Sequence, residues 1–156
     1  MKSMTRVALI LALAIPLTTI LGCAHLRESD DIDPIIHGTW AGEGRFYDRD
    51  LNEEYGTFTV AFEVHPDGTV SGTVGSANLT GGVIKSRPED FLVEAELAGN
   101  VFEDGSLPEE HKDRVVFILE PPGAAAAGTN GDFHLKTNLA FDVTMRAGAL
   151  TLNRSP

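Results

Sequence analysis

From Gly38 onward the apolar residues of this 156-residue chain recur at every second position, and that period commits it to β-structure. A strand turns successive side chains to opposite faces, so a period of two lets one face enter a core while the other meets water. Trp40, Gly42, Gly44 and Phe46 fall on one face, against Thr39, Glu43, Arg45 and Tyr47. Phe58, Val60, Phe62 and Val64 form the next, against Thr57, Thr59, Glu63 and His65. Pro66-Asp67-Gly68 presets a turn, with glycine where a positive φ is needed, and Val70, Gly72 and Val74 answer on the return. A short Leu79–Ile84 run follows, interrupted by Gly81-Gly82. Phe91, Val93, Ala95 and Leu97 alternate with Glu94 and Glu96, whereas Val115–Leu119 is apolar on both faces and must be central or covered on both sides. The cleanest alternation is the last. Phe133, Leu135, Thr137, Leu139, Phe141, Val143 and Met145 oppose His134, Lys136, Asn138, Ala140, Asp142, Thr144 and Arg146. At about 3.3 Å per residue that segment would be roughly 40 Å long, so it must coil, bulge or break, near Thr137-Asn138. Gly148 is then predicted to turn the chain into Ala149–Leu152.

No stretch beyond residue 22 carries the apolar period of an amphipathic helix. Pro121–Gly131 is built of glycine, proline and alanine without a core residue and predicts a long mobile loop. Seven to nine short strands joined by polar turns leave a sandwich or a closed meander barrel. The expectation is an all-β fold, an antiparallel meander closing into a small barrel of about eight strands. Closure removes the edges that an open sheet would expose, and the glycines inside the first strand suit tight bends. The predicted interior holds Trp40, plugging the narrow end, with Phe58, Phe62, Phe91, Phe117, Leu139, Phe141 and Val143.

The first 22 residues differ in kind. Lys2 and Arg6 precede Val7–Leu21, an apolar run broken only by Pro16, Thr18 and Thr19. A positive start, a short apolar segment and a small residue before the cut make a secretory signal. The run is shorter than the roughly 20 residues a spanning helix needs. Ile20-Leu21-Gly22-Cys23 closely resembles the lipobox of bacterial lipoproteins. That resemblance implies cleavage after Gly22, acylation of Cys23, and the bilayer as a partner through that residue. Alanine follows Cys23, rather than the aspartate that retains such proteins at the inner membrane of enteric bacteria, which implies the outer membrane of a bacterial cell envelope. The chain therefore divides into a signal over 1–22, a flexible acidic tether over 23–37 (Glu28, Asp30, Asp31, Asp33, closed by Pro34) and a barrel over 38–156.

Removing the signal takes two of 12 basic residues and none of 23 acidic ones, so ten against 23 leaves a mature formal charge of −13. That balance disfavours nucleic acid and anionic lipid and favours solubility or a basic partner. The single cysteine is the one destined for lipid, so the exported domain has no disulfide and depends on packing and sheet hydrogen bonds.

Gly38-Thr39-Trp40 is similar to the opening of the calycin barrels, the lipocalins, fatty-acid-binding proteins and avidins. Asp67-Gly68-Thr69-Val70-Ser71-Gly72-Thr73, followed by Ser76, resembles the second hairpin of the avidins. Val74 stands where avidins place an aromatic hydroxyl, and Trp40 is the only tryptophan, so the resemblance implies the barrel and not biotin. Phe91–Gly105, with its Gly99-Asn100-Val101-Phe102 turn, is similar to the barrel of transferrin-binding-protein-like surface lipoproteins, although no glycine-rich closing motif follows Gly131.

Asp48, Asp50, Asn52 and Glu54 alternate as calcium ligands do in an Asp-x-Asp-x-Asn loop, but Glu53 takes the glycine position and Thr59 that of the closing glutamate. The segment reads instead as a solvated hairpin loop. His25, His37, His65, His111 and His134 have no paired metal spacing, and no Gly-x-Ser-x-Gly elbow occurs. The expectation is therefore a non-enzymatic binding module without a cofactor, anchored in the envelope. Its candidate partner-binding loop is Tyr47, Asp48, Asp50, Glu53, Glu54 and Tyr55, suited to an envelope or extracellular protein with a basic patch. The alternative is a lipocalin-like carrier of a small apolar ligand; the many large residues predicted to point inward favour the first.

Overall fold

A computed structural model describes residues 32–103, 114–123, 127–136 and 144–155. Eight antiparallel strands run in chain order and close, first against last: β1 (Gly38–Phe46), β2 (Thr57–Val64), β3 (Thr69–Val74), β4 (Ala77–Ser86), β5 (Phe91–Ala98), β6 (Arg114–Leu119), β7 (Gly128–Lys136) and β8 (Thr144–Arg154). The closing pair aligns Trp40 with Arg154 and Phe46 with Gly148. This is the all-β meander barrel that the period of two implies.

Burial follows the alternation residue by residue. In β2, Phe58, Val60, Phe62 and Val64 are buried while Thr57, Thr59 and Glu63 are exposed. Trp40, Phe58, Phe62, Phe91 and Phe117 all lie in the core; Leu139, Phe141 and Val143 fall outside the described residues. β6 is apolar on both faces because Val115, Phe117 and Leu119 point inward while Val116 and Ile118 lie on the outer wall.

The rings are accommodated by glycine across the ladder. Gly44 is opposite Phe58, and Gly148 opposite Phe133. A Cβ on either would lie 2.4 Å from the facing ring, so each ring occupies its partner's missing side chain. Gly148 is thus mid-strand in β8, and not the turn that its composition suggests.

Two other expectations give way. Leu79–Ile84 understates β4, which runs for ten residues because Gly81 and Gly82 form a bulge rather than an end. Gly81 takes φ 60°, and a Cβ on Gly82 would meet the Val70 carbonyl oxygen at 2.3 Å. Gly128–Gly131, read as the end of a mobile loop, is the start of β7: Gly131 pairs with Leu119 and Leu150, and Thr129 is buried with its hydroxyl donating to the Glu120 carbonyl. The long alternating segment from Phe133 does break where its length requires: β7 ends at Lys136 and β8 starts at Thr144, and the two strands pair with each other.

The folded unit also reaches back into the stretch read as tether. A 3₁₀ turn over Pro34–Ile36, capped by Asp33, crosses one end of the barrel with Ile36 fully buried and Ile32 and Ile35 packed on the core. Trp40 Nε1 donates to the Ile36 carbonyl at 2.7 Å. Arg154 lies over the Trp40 ring at 5.0 Å and donates to the carbonyls of Ile35 and His37. The opposite end is filled by rings: Phe46, Phe58 and Phe133 meet at 5.1–5.6 Å, and Tyr55 stacks on Phe102 at 4.8 Å above them. Between the two ends Phe62 stacks on Phe117 at 5.6 Å.

Candidate functional site

The acidic segment after β1 is a helix and not a loop. Asp48 Oδ1 accepts from the backbone N–H of Asp50 and Leu51 at 2.9 and 3.1 Å, the bonding of an N-cap, and α1 (Arg49–Tyr55) follows. Gly56, at φ 67°, ends it and donates to the Asn52 carbonyl. The alternating carboxylates that resemble a calcium loop are thus a cap followed by one side of a short helix. The helix escapes detection from sequence because it spans seven residues and buries none of them fully.

The six residues singled out from the sequence are brought together at the aromatic end of the barrel, with different duties. Asp48 is occupied by the cap. Glu53 is paired with Arg49 at 2.7 Å on a largely exposed face, a contact of little energetic weight. Asp50 and Glu54 are exposed to solvent. Tyr55 turns inward to stack on Phe102, fastening α1 to the barrel mouth. Tyr47 points the other way, along the outer wall, with 62 % of its surface exposed, and its hydroxyl donates to Asp132 Oδ1 on β7. That bond to a carboxylate, with some burial and the carboxylate's charge, raises the Tyr47 phenol above its ordinary 10.0. Cys23 lies outside the described residues.

Tyr47 also borders a surface groove of about 450 Å³ that includes Glu89, Asp90, Glu120, Asn130 and Asp132. These carboxylates come from the β4–β5 turn, the end of β6 and β7, so no sequence window joins them. Asp90 is held by Arg87, with one of the two contacts at 2.8 Å. A second groove of about 320 Å³ crosses the outer faces of β5–β7, with Leu92, Val116 and Ile118 among its lining and Glu94, His134 and Lys136 beside them.

Just after β2, His65 Nε2 lies 3.1 Å from Ser71 Oγ on β3, and its Nδ1 lies 3.7 Å from Glu63 Oε1 on β2. The order of groups is that of a nucleophilic triad. The carboxylate, however, stands beyond hydrogen-bond reach, and both Glu63 and His65 are open to water on the outer wall, so the set reads as a cross-strand polar contact. At the adjoining turn Asp67 accepts from the hydroxyl and the backbone N–H of Thr69, which holds its carboxyl below the ordinary carboxylate value. Among the described residues no group of three or more His, Cys, Asp or Glu is arranged to hold a metal ion, and no helix is long and apolar enough to cross a membrane.

No protein-family model matches the chain, and neither a curated protein nor a solved structure matches it.

Proposed function

We propose that the protein is a bacterial envelope lipoprotein, cleaved after Gly22 and held by acyl chains on Cys23 in the outer membrane, whose barrel is a non-enzymatic module for binding a basic protein partner. The anchor rests on the lipobox resemblance. The binding mode is supported by one observation: the interior is occupied by the chain's own Trp40, Phe62, Phe117 and Phe133, while exposed carboxylates gather at α1 and along the groove beside Tyr47. A barrel filled in this way acts through its surface. The acidic helix and Tyr47, carried on a closed sheet, suit recognition of a cationic patch.

The test replaces Asp48, Asp50, Glu53 and Glu54 with their amides. Asparagine caps helices about as well as aspartate, so Asp48→Asn leaves α1 intact while the charge goes. A partner recovered from envelope extracts should associate more slowly with the variant, and the deficit should shrink as salt rises. Unchanged association at low salt removes this surface from the reading. Recovery of a stoichiometric apolar molecule on organic extraction of the purified protein would favour the carrier instead.

A further inference from the structure

We infer that the barrel stands on the membrane by its Trp40 end, so that α1 and the aromatic mouth are the face presented to a partner. This rests on the lipid anchor at Cys23 proposed above. The chain enters the fold at one end only. Ile32 packs against the β2–β3 turn, where its Cγ1 would lie 3.3 Å from a Cβ on Gly68. The Asp33 N–H donates to Ser86 Oγ at the end of β4, and the 3₁₀ turn is then fastened beneath Trp40 by Arg154. In an up-and-down meander that end gathers the β2–β3 and β4–β5 turns, the connection after Leu119 and the end of β8. The opposite end carries α1, the Gly75-Ser76 turn and Phe102.

The reach of the anchor decides between the two ends. Nine residue steps separate Cys23 from Ile32 and cover at most about 30 Å at full extension. Nine-residue strands tilted as in a small barrel rise roughly 20–25 Å. Turning the α1 end to the bilayer would need the anchor segment to run almost taut up the barrel wall, whereas with the Trp40 end nearest the lipid it is slack. That end is not adhesive. Asp33, Asp67, Glu89 and Glu120 are exposed there, against Arg87, which is engaged by Asp90, and Arg154, which lies on Trp40, so carboxylates predominate. An anionic bilayer therefore repels the end that the anchor holds close, and the barrel stands off the surface instead of lying on it.

Because Cys23 is the only cysteine and carries lipid in this reading, one added cysteine gives a unique label. Mature lipidated protein bearing a fluorophore at Glu89→Cys or at Ser76→Cys is reconstituted into phosphatidylcholine–phosphatidylglycerol vesicles with a headgroup-linked quencher. The Glu89 label should be quenched several-fold more than the Ser76 label, and raising salt should strengthen quenching at Glu89. A second pair, Pro66→Cys and Glu54→Cys, repeats the comparison should either first variant fold poorly. Equal quenching on floated vesicles, or the reverse order, overturns the orientation alone. Failure of the wild-type protein to float with vesicles overturns the anchor and the orientation together.

Discussion

The two ends of the barrel are closed by different chemistry. At the Trp40 end the seal is directional: an indole N–H bonded to a carbonyl, and a guanidinium that covers the ring and spans two more carbonyls. At the α1 end the seal is a heap of rings, Phe46, Phe58, Phe102, Phe133 and Tyr55, in edge and stacked contacts. The indole bond lies in a dry site, where a hydrogen bond fixes one geometry and is costly to leave half made. Ring contacts tolerate sliding and give up their energy piecemeal. The difference teaches that the first end is fixed by bonds with one geometry, while the second is held by contacts that can be lost one at a time.

The largest effect should come from emptying the fixed end. Trp40→Ala removes a fully buried ring and orphans the Ile36 carbonyl, and it should cost about 3–5 kcal/mol in denaturant unfolding. A loss that large threatens a domain of ordinary stability. Arg154→Ala keeps the ring but removes its cover and the bonds to the 3₁₀ turn, for about 1–3 kcal/mol. Amide exchange should then rise first at Ile35–His37, with β2–β7 still protected. If both variants unfold like wild type, the latch has no energetic role.

Tyr55→Ala should cost less, about 0.5–1.5 kcal/mol, since its stack on Phe102 and edge contact with Phe46 lie at the rim of the core and the three rings beneath remain. Exchange should rise across α1 alone; protection lost along β1 or β2 would show that the ring end is as cooperative as the other.

The smallest effect is a titration. The Tyr47 phenol is raised in the folded protein, so its bond to Asp132 contributes at every pH below the ordinary value of 10.0 and fades as pH climbs through the folded value. An ultraviolet absorbance titration, with Tyr47→Phe to identify the signal, should place its midpoint above 10.0. Asp132→Asn should bring it back down, and an unmoved midpoint would mean that the bond is not formed in solution.

A period of two is a property of the extended backbone, and the predicted inner residues Trp40, Phe58, Phe62, Phe91 and Phe117 were legible for that reason. So was the turn at Gly68, whose φ of 80° is a local demand. Reading failed where one residue type serves two structures. Gly148 and Gly131 resemble turn residues by composition, yet they are mid-ladder positions whose missing side chains make room for a ring and a neighbouring strand, a need set by residues elsewhere in the chain. Asp48 has the spacing of a metal ligand and the job of a cap, and only the backbone path after it distinguishes them.

The sequence by itself determined the strand content, which face of most strands turns inward and, through the lipobox resemblance, the expectation of an anchor. Tertiary structure alone decided the register in which β1 closes on β8, the Arg154 cover over Trp40, and the meeting of Tyr47 with Asp132 across 85 residues. The physical reason is that alternation records which side of a strand is dry, whereas register is set by how rings and glycines from distant strands fill one shared interior.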